Sequence, residues 1–375
     1  MVRYLKENEK QLCRPLWEEA FNEDSPAFVA YYFEEKNRDN RILVREEDGL
    51  IQSMLHLNPY RLAVKDTEWQ ADYIVGVATR ADCRRRGYMR ELLDEMFRDL
   101  WNRQMPFVFL MPAAKEIYEP FDFVYIYDQP VWQLKAGFEP VRKPLLSTAG
   151  AACGADEGAG CEDAWITMST WMQSWLADRY QVYAVRDRNY LERLGKELAS
   201  EQGEMELLYD GSEMIGIYAE WGTKVREQRL LYAGDAYVTE NEAKPAIMAR
   251  IVNLNAFLSK ICLKTSYIKE ELQIILQLTD EWIPENDGLW YWNLTKETSR
   301  AEAAEKEVIS AAELAAKGNN KAGRGRAAVA DGQTVLKLSV GELTSWLFGY
   351  SLPEAAQLYQ EAVSTLQDIF LDEVV

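Results

Sequence analysis

Apolar and polar positions change period several times in the first third of this chain, and each change predicts an element. Leu50-Ile-Gln-Ser-Met-Leu-His-Leu-Asn-Pro59 reads as a strand ending at a turn, and the apolar run Tyr73 to Thr79 as a second, buried one. A short polar loop follows. From Tyr88 to Trp101, residues Leu92, Leu93, Met96, Phe97 and Leu100 recur at helical spacing, which predicts an amphipathic helix. Pro106-Phe-Val-Phe-Leu-Met-Pro112 is short, apolar and closed by proline, the pattern of another buried strand. Ala113 to Pro120 then has the length of about two helical turns. Strands alternating with helices define a mixed α/β (α+β) fold class.

The pattern then lapses. Ser147 to Cys161 is small and glycine-rich, cannot bury enough apolar surface to order itself, and reads as a surface linker. Helical spacing returns from Trp165 to about Leu198, crowded with aromatic residues. Met205 to Tyr218 reads as a hairpin, two strand-like runs flanking Asp210-Gly211. A third segment begins near Ala246-Ile-Met-Ala-Arg-Ile-Val-Asn-Leu and continues through strand-like Leu272–Thr279 and Gly288–Leu294. Ser299 to Lys317, rich in Ala, Glu and Lys, fits a solvated helix, and Gly318 to Arg326 a polar loop whose arginines serve solubility. Order resumes with a strand at Thr334–Val340 and helices at Glu342–Phe348 and Pro353–Phe370. These shifts divide the chain into 1–146, 147–245 and 246–375.

Composition narrows the class. With 375 residues there is room for two or three domains, and 48% hydrophobic content is that of a globular protein. No apolar run approaches the ~18 residues of a membrane span. The start, Met-Val-Arg-Tyr-Leu-Lys-Glu-Asn-Glu, is too charged for a signal peptide. Five cysteines form no C-x-x-C and their odd number argues against a disulfide framework, while a single histidine leaves no metal-ligand cluster. The expectation is a cytoplasmic protein without metal. A net charge of −19 disfavours nucleic acid as a partner, since basic residues concentrate only locally. An acidic envelope would draw in cationic small molecules, or serve solubility alone.

The local basic cluster carries the chemistry. In Tyr73-Ile-Val-Gly-Val-Ala-Thr-Arg-Ala-Asp-Cys-Arg-Arg-Arg-Gly-Tyr-Met-Arg90, a strand feeds a basic turn and then a helix start. The first N–H groups of such a helix are unpaired, its dipole favours negative charge, and glycine lets the backbone approach a pyrophosphate. The spacing is neither G-x-x-x-x-G-K-[ST] nor G-x-G-x-x-G. It resembles the coenzyme A loop of the GNAT acyltransferases, [QR]-x-x-G-x-[GA], with Arg84 first, Gly87 as the glycine and Met89 where Gly or Ala is usual. Tyr118-Glu-Pro-Phe-Asp-Phe123 likewise resembles that superfamily's Y-x-x-F-G-F element, Asp122 replacing glycine.

Over nearly the whole chain the order of segments, with A-R-I-V-N-L at Ala249–Leu254 and D-x-W-I-P-E-N-D-G-x-W at Asp280–Trp290, is similar to the Eis-like acetyltransferases. The resemblance implies tandem GNAT-like domains, the second degenerate, and a sterol-carrier-protein-like α/β domain after them. The middle segment contains no R-x-x-G-x-[GA] loop and so should bind no second coenzyme. Also implied are homo-oligomers, hexamers in some members, and acetyl transfer from acetyl-CoA to an amine.

Such a reaction needs aligned reactants, a donor for the developing oxyanion, an acid for the departing thiolate and a route for the amine proton. A neutral amine attacks the thioester directly, which suits a chain without G-x-S-x-G or a Cys/His pair. Backbone groups of Val77, Ala78 and Thr79 are expected to hold the pantetheine and thioester carbonyl. Those from Arg85, Arg86, Gly87, Tyr88, Met89 and Arg90 are expected on the pyrophosphate. Ala113 and Ala114, small enough to let the coenzyme pass, should begin the next helix. Tyr118 is the candidate general acid, since a phenol's pKa of about 10 is near that of an alkyl thiol.

For the proton acceptor, the resemblance implies the C-terminal carboxylate, here that of Val375. His56 could titrate near neutrality or simply pack in its strand. Trp17, Trp171, Trp282, Trp290 and Trp292 could line a substrate tunnel or fill the core. The expectation is therefore an N-acetyltransferase for a small or peptide cationic amine. The alternative is a non-catalytic acyl-CoA sensor or hydrophobic-ligand carrier using the C-terminal domain.

Overall fold

The apolar run that begins the basic loop is the end of a long strand. In the computed structural model, which describes residues 1–145, 158–304, 328–330 and 333–373, that strand spans Thr67–Thr79. The chain forms two compact units, each assembled from three stretches. One contains Met1–Asn58, Gly76–Met89 and Gln129–Lys244. The other contains Pro59–Val75, Arg90–Asp128 and Pro245–Val375.

In the first unit β1 (Val2–Tyr4) and the first part of β3 (Leu50–Val64) lie antiparallel to either side of β2 (Arg41–Glu47). The β2–β3 turn places Asp48 and Gly49 at φ 52° and 76°. Two short helices, α1 (Arg14–Ala20) and α2 (Pro26–Glu34), each have proline in their first turn, and Ser25 caps α2 by accepting from the Phe28 N–H at 3.0 Å. Their apolar residues bury an aromatic group in which Trp17 stacks on Tyr32 at 4.1 Å.

A four-stranded antiparallel sheet completes this unit, in the order Glu227–Ala233, Glu213–Trp221, Glu204–Asp210, Val141–Pro144. Its central hairpin turns at Gly211, whose φ of 59° is the left-handed value the Asp-Gly signal requires. Helices Gly158–Ala177 and Arg188–Ser200 account for the helical spacing of the middle segment. Trp175 of the first stacks on Tyr232 and donates its indole N–H to the Ala233 carbonyl at 3.0 Å.

In the second unit β4 (Thr67–Thr79) contributes Asp72 and Tyr73, paired in parallel with Val108 and Phe109 of β5 (Phe107–Leu110). The end of strand Val238–Ile251 runs antiparallel on the other side of β5. Helix α3 (Tyr88–Asn102) buries Leu92, Leu93, Met96, Phe97 and Leu100, the stripe its spacing predicts. A five-stranded sheet follows the order Ser299–Ala303, Gly288–Thr295, Glu271–Thr279, Gln333–Ser339, Ala328–Ala330, with one parallel pair at Glu271–Thr279 and Gln333–Ser339. Helix Val340–Leu347 follows, opened by a reciprocal Ser339–Glu342 capping box.

Four expectations are corrected. Ala113–Pro120 is not an α-helix: Ala113 and Ala114 are exposed, Ala114 is extended (φ −152°, ψ 130°), and two 3-10 turns follow at Lys115–Ile117 and Glu119–Phe121. Proline 120 supplies no N–H to continue a ladder. Ser299–Ala303 is a strand rather than a solvated helix, because its backbone pairs with Gly288–Thr295 and Ala301 is buried beneath it; 305–327 lie outside the described residues.

Pro353–Phe370 is helical only as a 3-10 segment, Glu354–Tyr359. Beyond it the backbone bonds elsewhere, Lys264 N–H to the Ala362 carbonyl at 2.8 Å and Ser364 N–H to that of Cys262 at 2.9 Å. Of the expected linker, 147–157 lie outside the described residues and 158–161 open a helix.

Candidate active site

The loop is prepared by the last turn of its strand. Gly76 has φ 60°, and a Cβ there would lie 2.5 Å from the ring of buried Trp17, so any larger residue would be both strained and obstructed. Past this point Val77 and Thr79 are partly exposed and Ala78 is buried. Ser53 Oγ donates to the Ala78 carbonyl at 2.8 Å and lies 2.8 Å from Thr79 Oγ1, which fixes the strand end. That carbonyl already has a partner.

A 3-10 turn, Ala81–Cys83, leads to Arg84, whose Nε donates to the Thr79 carbonyl at 3.3 Å and closes the loop on its own strand. Arg85 (φ 64°) and Gly87 (φ 85°) are both left-handed. For glycine this costs little, whereas an arginine there is uncommon and marks a conformation imposed by its surroundings. α3 begins at the next residue, so the unpaired N–H groups of a 15-residue helix stand at the end of a tight, exposed basic loop. Nothing lies within 4 Å of a Cβ built on Gly87, leaving the loop face open to a pyrophosphate. The residues present therefore fit a coenzyme A phosphate cradle.

The side chains around it divide the work. Tyr88 is buried, its hydroxyl donates to Glu47 Oε2 at 2.9 Å, and Arg45 covers its ring at 4.9 Å, so it anchors the helix start and leaves only backbone for a ligand. Arg86 donates to the Asp82 carbonyl at 3.1 Å. Met89 is partly exposed, and exposed Arg90 lies over the Trp282 ring at 4.9 Å. Burial pushes the Cys83 thiol up, and it donates to Gln52 Oε1 at 3.1 Å; neither suits a nucleophile.

Tyr118 lies at the hinge of the two 3-10 turns. Its carbonyl accepts from the N–H groups of Phe121 (2.9 Å) and Phe123 (3.4 Å), and its ring meets that of Phe123 edge-on at 5.9 Å. Burial alone pushes its phenol up to about 12, and its hydroxyl bonds to no described residue. The expected match at about 10 is thus displaced upward, toward a more firmly protonated donor. Asp122 adopts φ 60°, the left-handed value its glycine-like place demands and aspartate tolerates.

His56 is fully buried. Asn40 Nδ2 donates to the Tyr32 hydroxyl (3.2 Å), which lies 3.0 Å from His56 Nδ1 in a hydrogen bond. Burial, then the charge of Lys10, pulls His56 down to about 3, so it is a neutral packing residue rather than a titrating base. Trp17, Trp290 and Trp292 are core residues, while Trp171 and Trp282 are partly exposed. Val375 lies outside the described residues. Of the chain leading to it, Leu371, Asp372 and Glu373 are buried, and the Tyr73 hydroxyl donates to the Glu373 carbonyl at 3.4 Å.

Arg250, Asp280 and Asn286, bonded to one another beside the turn that carries Tyr118, were not singled out in the sequence. The available signal was Arg250 within the largely apolar Ala249–Leu254, while Asp280 and Asn286 stand among other acidic and polar residues in Asp280–Trp290. Among the described residues no group of three His, Cys, Asp or Glu could hold a metal, and no helix is long and apolar enough to cross a membrane.

A strand, an R-x-x-G loop with two left-handed residues and a helix start are the elements that a coenzyme A phosphate cradle needs. Residues 1–126 match the family model of the acetyltransferase (GNAT) domain, so this part of the chain is a GNAT acetyltransferase domain. No curated protein matches the sequence. Among solved structures, the chain resembles a conserved protein of unknown function from Enterococcus faecalis described as a probable N-acyltransferase. The TM-score is 0.68 and identity 15%, over 97% of this chain and 93% of that one. A GCN5-related N-acetyltransferase from Anabaena variabilis gives 0.67 and 13% over 99% of each chain. Eis1 from Mycobacterium abscessus gives 0.56 and 11%, over 81% of this chain and 85% of that. At these identities the likeness is one of fold.

Proposed function

We propose that this acyltransferase moves the acetyl group of acetyl-CoA to the primary amine of a small or peptide cationic substrate, by direct attack in a ternary complex. The observation that carries it is the loop of Arg84 to Tyr88, whose left-handed residues and helix N-terminus offer backbone donors to a pyrophosphate. With the donor held there, the neutral amine nitrogen attacks the thioester carbonyl. The C–N bond forms and the C–S bond breaks, Tyr118 protonates the leaving sulfur, and a carboxylate accepts the amine proton. A net charge of −19 favours cationic amines over anionic acceptors.

The division into two GNAT-like parts (1–146 and 147–245) and a sterol-carrier-like part (246–375) belongs to the same proposal, as does a homo-oligomer. A thiol-release assay with acetyl-CoA and a panel of polyamines, aminoglycosides and lysine peptides tests the activity. Amine-dependent release of coenzyme A is the expected result. Tight acetyl-CoA binding without turnover of any amine would instead mark a sensor or carrier.

The acceptor carboxylate is proposed to be the C-terminal one. Truncation before Leu371 would delete a fully buried side chain, costing stability by about 1.5–3 kcal/mol, so a cleaner test appends two glycines after Val375. The extended enzyme should bind acetyl-CoA normally and acetylate amines more slowly, with a defect that varies with amine pKa. An unchanged rate would assign the proton to another carboxylate.

A further inference from the structure

We infer that Arg250, held by Asp280, is a positioning residue for Tyr118; this rests on the reading of Tyr118 as the general acid. Arg250 stands opposite Val108 of β5, and its side chain is fully buried, as is that of Asp280. A guanidinium out of water costs several kcal/mol unless its N–H groups are used, and a well-packed apolar pair would serve the core as well. Its bonds are therefore informative.

Nη2 donates to Asp280 Oδ1 at 2.5 Å, Nη1 to the Ile251 carbonyl at 3.1 Å, and Nε to the Phe121 carbonyl at 2.9 Å. Its carbon lies over the Phe97 ring at 4.5 Å. Asp280 is fixed in turn. Oδ1 also accepts from the N–H groups of Trp282 and Ile283 (3.0 and 2.9 Å), and Oδ2 from Asn286 Nδ2 (3.0 Å). Asn286 closes the ring by donating to the Val252 carbonyl at 2.8 Å and accepting from the Leu254 N–H at 3.2 Å. The guanidinium has no freedom to swing.

One of its bonds leaves this ring, to Phe121, and Phe121 closes the turn that carries Tyr118. A second clamp sits beside it: the Trp282 ring packs on Phe121 at 4.7 Å and its Nε1 donates to the Pro120 carbonyl at 3.1 Å. The clamps meet a need. No described residue holds the Tyr118 hydroxyl, and the turn contains a left-handed aspartate. The direction of the phenol is set by its backbone, and the buried Arg250 and the partly exposed Trp282 hold that backbone. Neither touches the phenol, so their effect on rate must pass through it.

Arg250→Lys keeps the charge and removes the fork. It should lower kcat by about tenfold, with the acetyl-CoA KM changed by less than about twofold. In a Tyr118→Phe background the same substitution should cost no further rate, because there is no acid left to misplace. Trp282→Phe, which keeps a ring against Phe121 and removes the Pro120 bond, should show a smaller loss of kcat that also vanishes in that background; it decides the matter if Arg250→Lys does not fold. A folded Arg250→Lys enzyme with wild-type kcat, or losses that multiply fully with that of Tyr118→Phe, would overturn the inference. If Tyr118→Phe alone is as active as wild type, the acid reading fails first, a result separable from both.

Discussion

Tyr118→Phe is expected to turn over roughly 10²-fold more slowly than wild type, with acetyl-CoA affinity unchanged, the range general-acid catalysis supplies. The substitution removes one oxygen from a ring that is otherwise buried against Phe123, so the turn should survive it. The pH dependence follows from the direction of the shift. The acid works when protonated, and burial raises its pKa to about 12, so its contribution is complete at lower pH and is lost only as pH rises through about 12. Between pH 7 and 10 the tyrosine should therefore produce no falling limb, and the rate should climb as the amine deprotonates. A falling limb near pH 9 that disappears in Tyr118→Phe would show a phenol of ordinary or lowered pKa and contradict the burial argument. Full activity of Tyr118→Phe would leave the residue as packing.

Gly87→Val should abolish most acetyl-CoA binding. Valine at φ 85° costs about 1–2 kcal/mol in backbone strain. No atom lies within 4 Å of its Cβ, so the fold has room for it. The isopropyl group would instead stand in the open space over the loop. Losing two charge-assisted hydrogen bonds at about 1.5–3 kcal/mol each weakens binding by about 10²-fold or more. Calorimetry with acetyl-CoA measures this, with Gly87→Ala as a milder control. Undiminished binding by a folded Gly87→Val protein would remove the loop from the mechanism.

These two sites differ in how they could be read. The loop is contiguous: the end of a strand, a run of three arginines, a glycine and a helix start lie within Tyr73–Arg90, and their periods and turn chemistry are local, so the chain order alone predicts β4, α3 and the tight turn between them. The hairpin at Asp210-Gly211 was legible for the same reason. The identity of Tyr118 as a candidate acid came from its motif, and its surroundings did not. Whether a phenol is buried depends on Phe123 and on the packing around it, and that packing moves its pKa.

Other features needed the fold outright. Pro353–Phe370 has an apolar pattern compatible with a helix, but its backbone takes partners at Cys262 and Lys264, nearly one hundred residues earlier, and long-range hydrogen bonds override local spacing. Ala113 and Ala114 were expected in a helix and stand extended before a 3-10 turn. Arg250 and Asp280 lie 30 residues apart in separate segments of the chain, and nothing in the sequence signals that they pair. By itself the sequence determined the local devices, because strand, turn and helix signals are set by neighbours within a few residues. Only the tertiary structure decided that a buried guanidinium would brace the Phe121 carbonyl, because burial and pairing are properties of residues the chain brings together from afar.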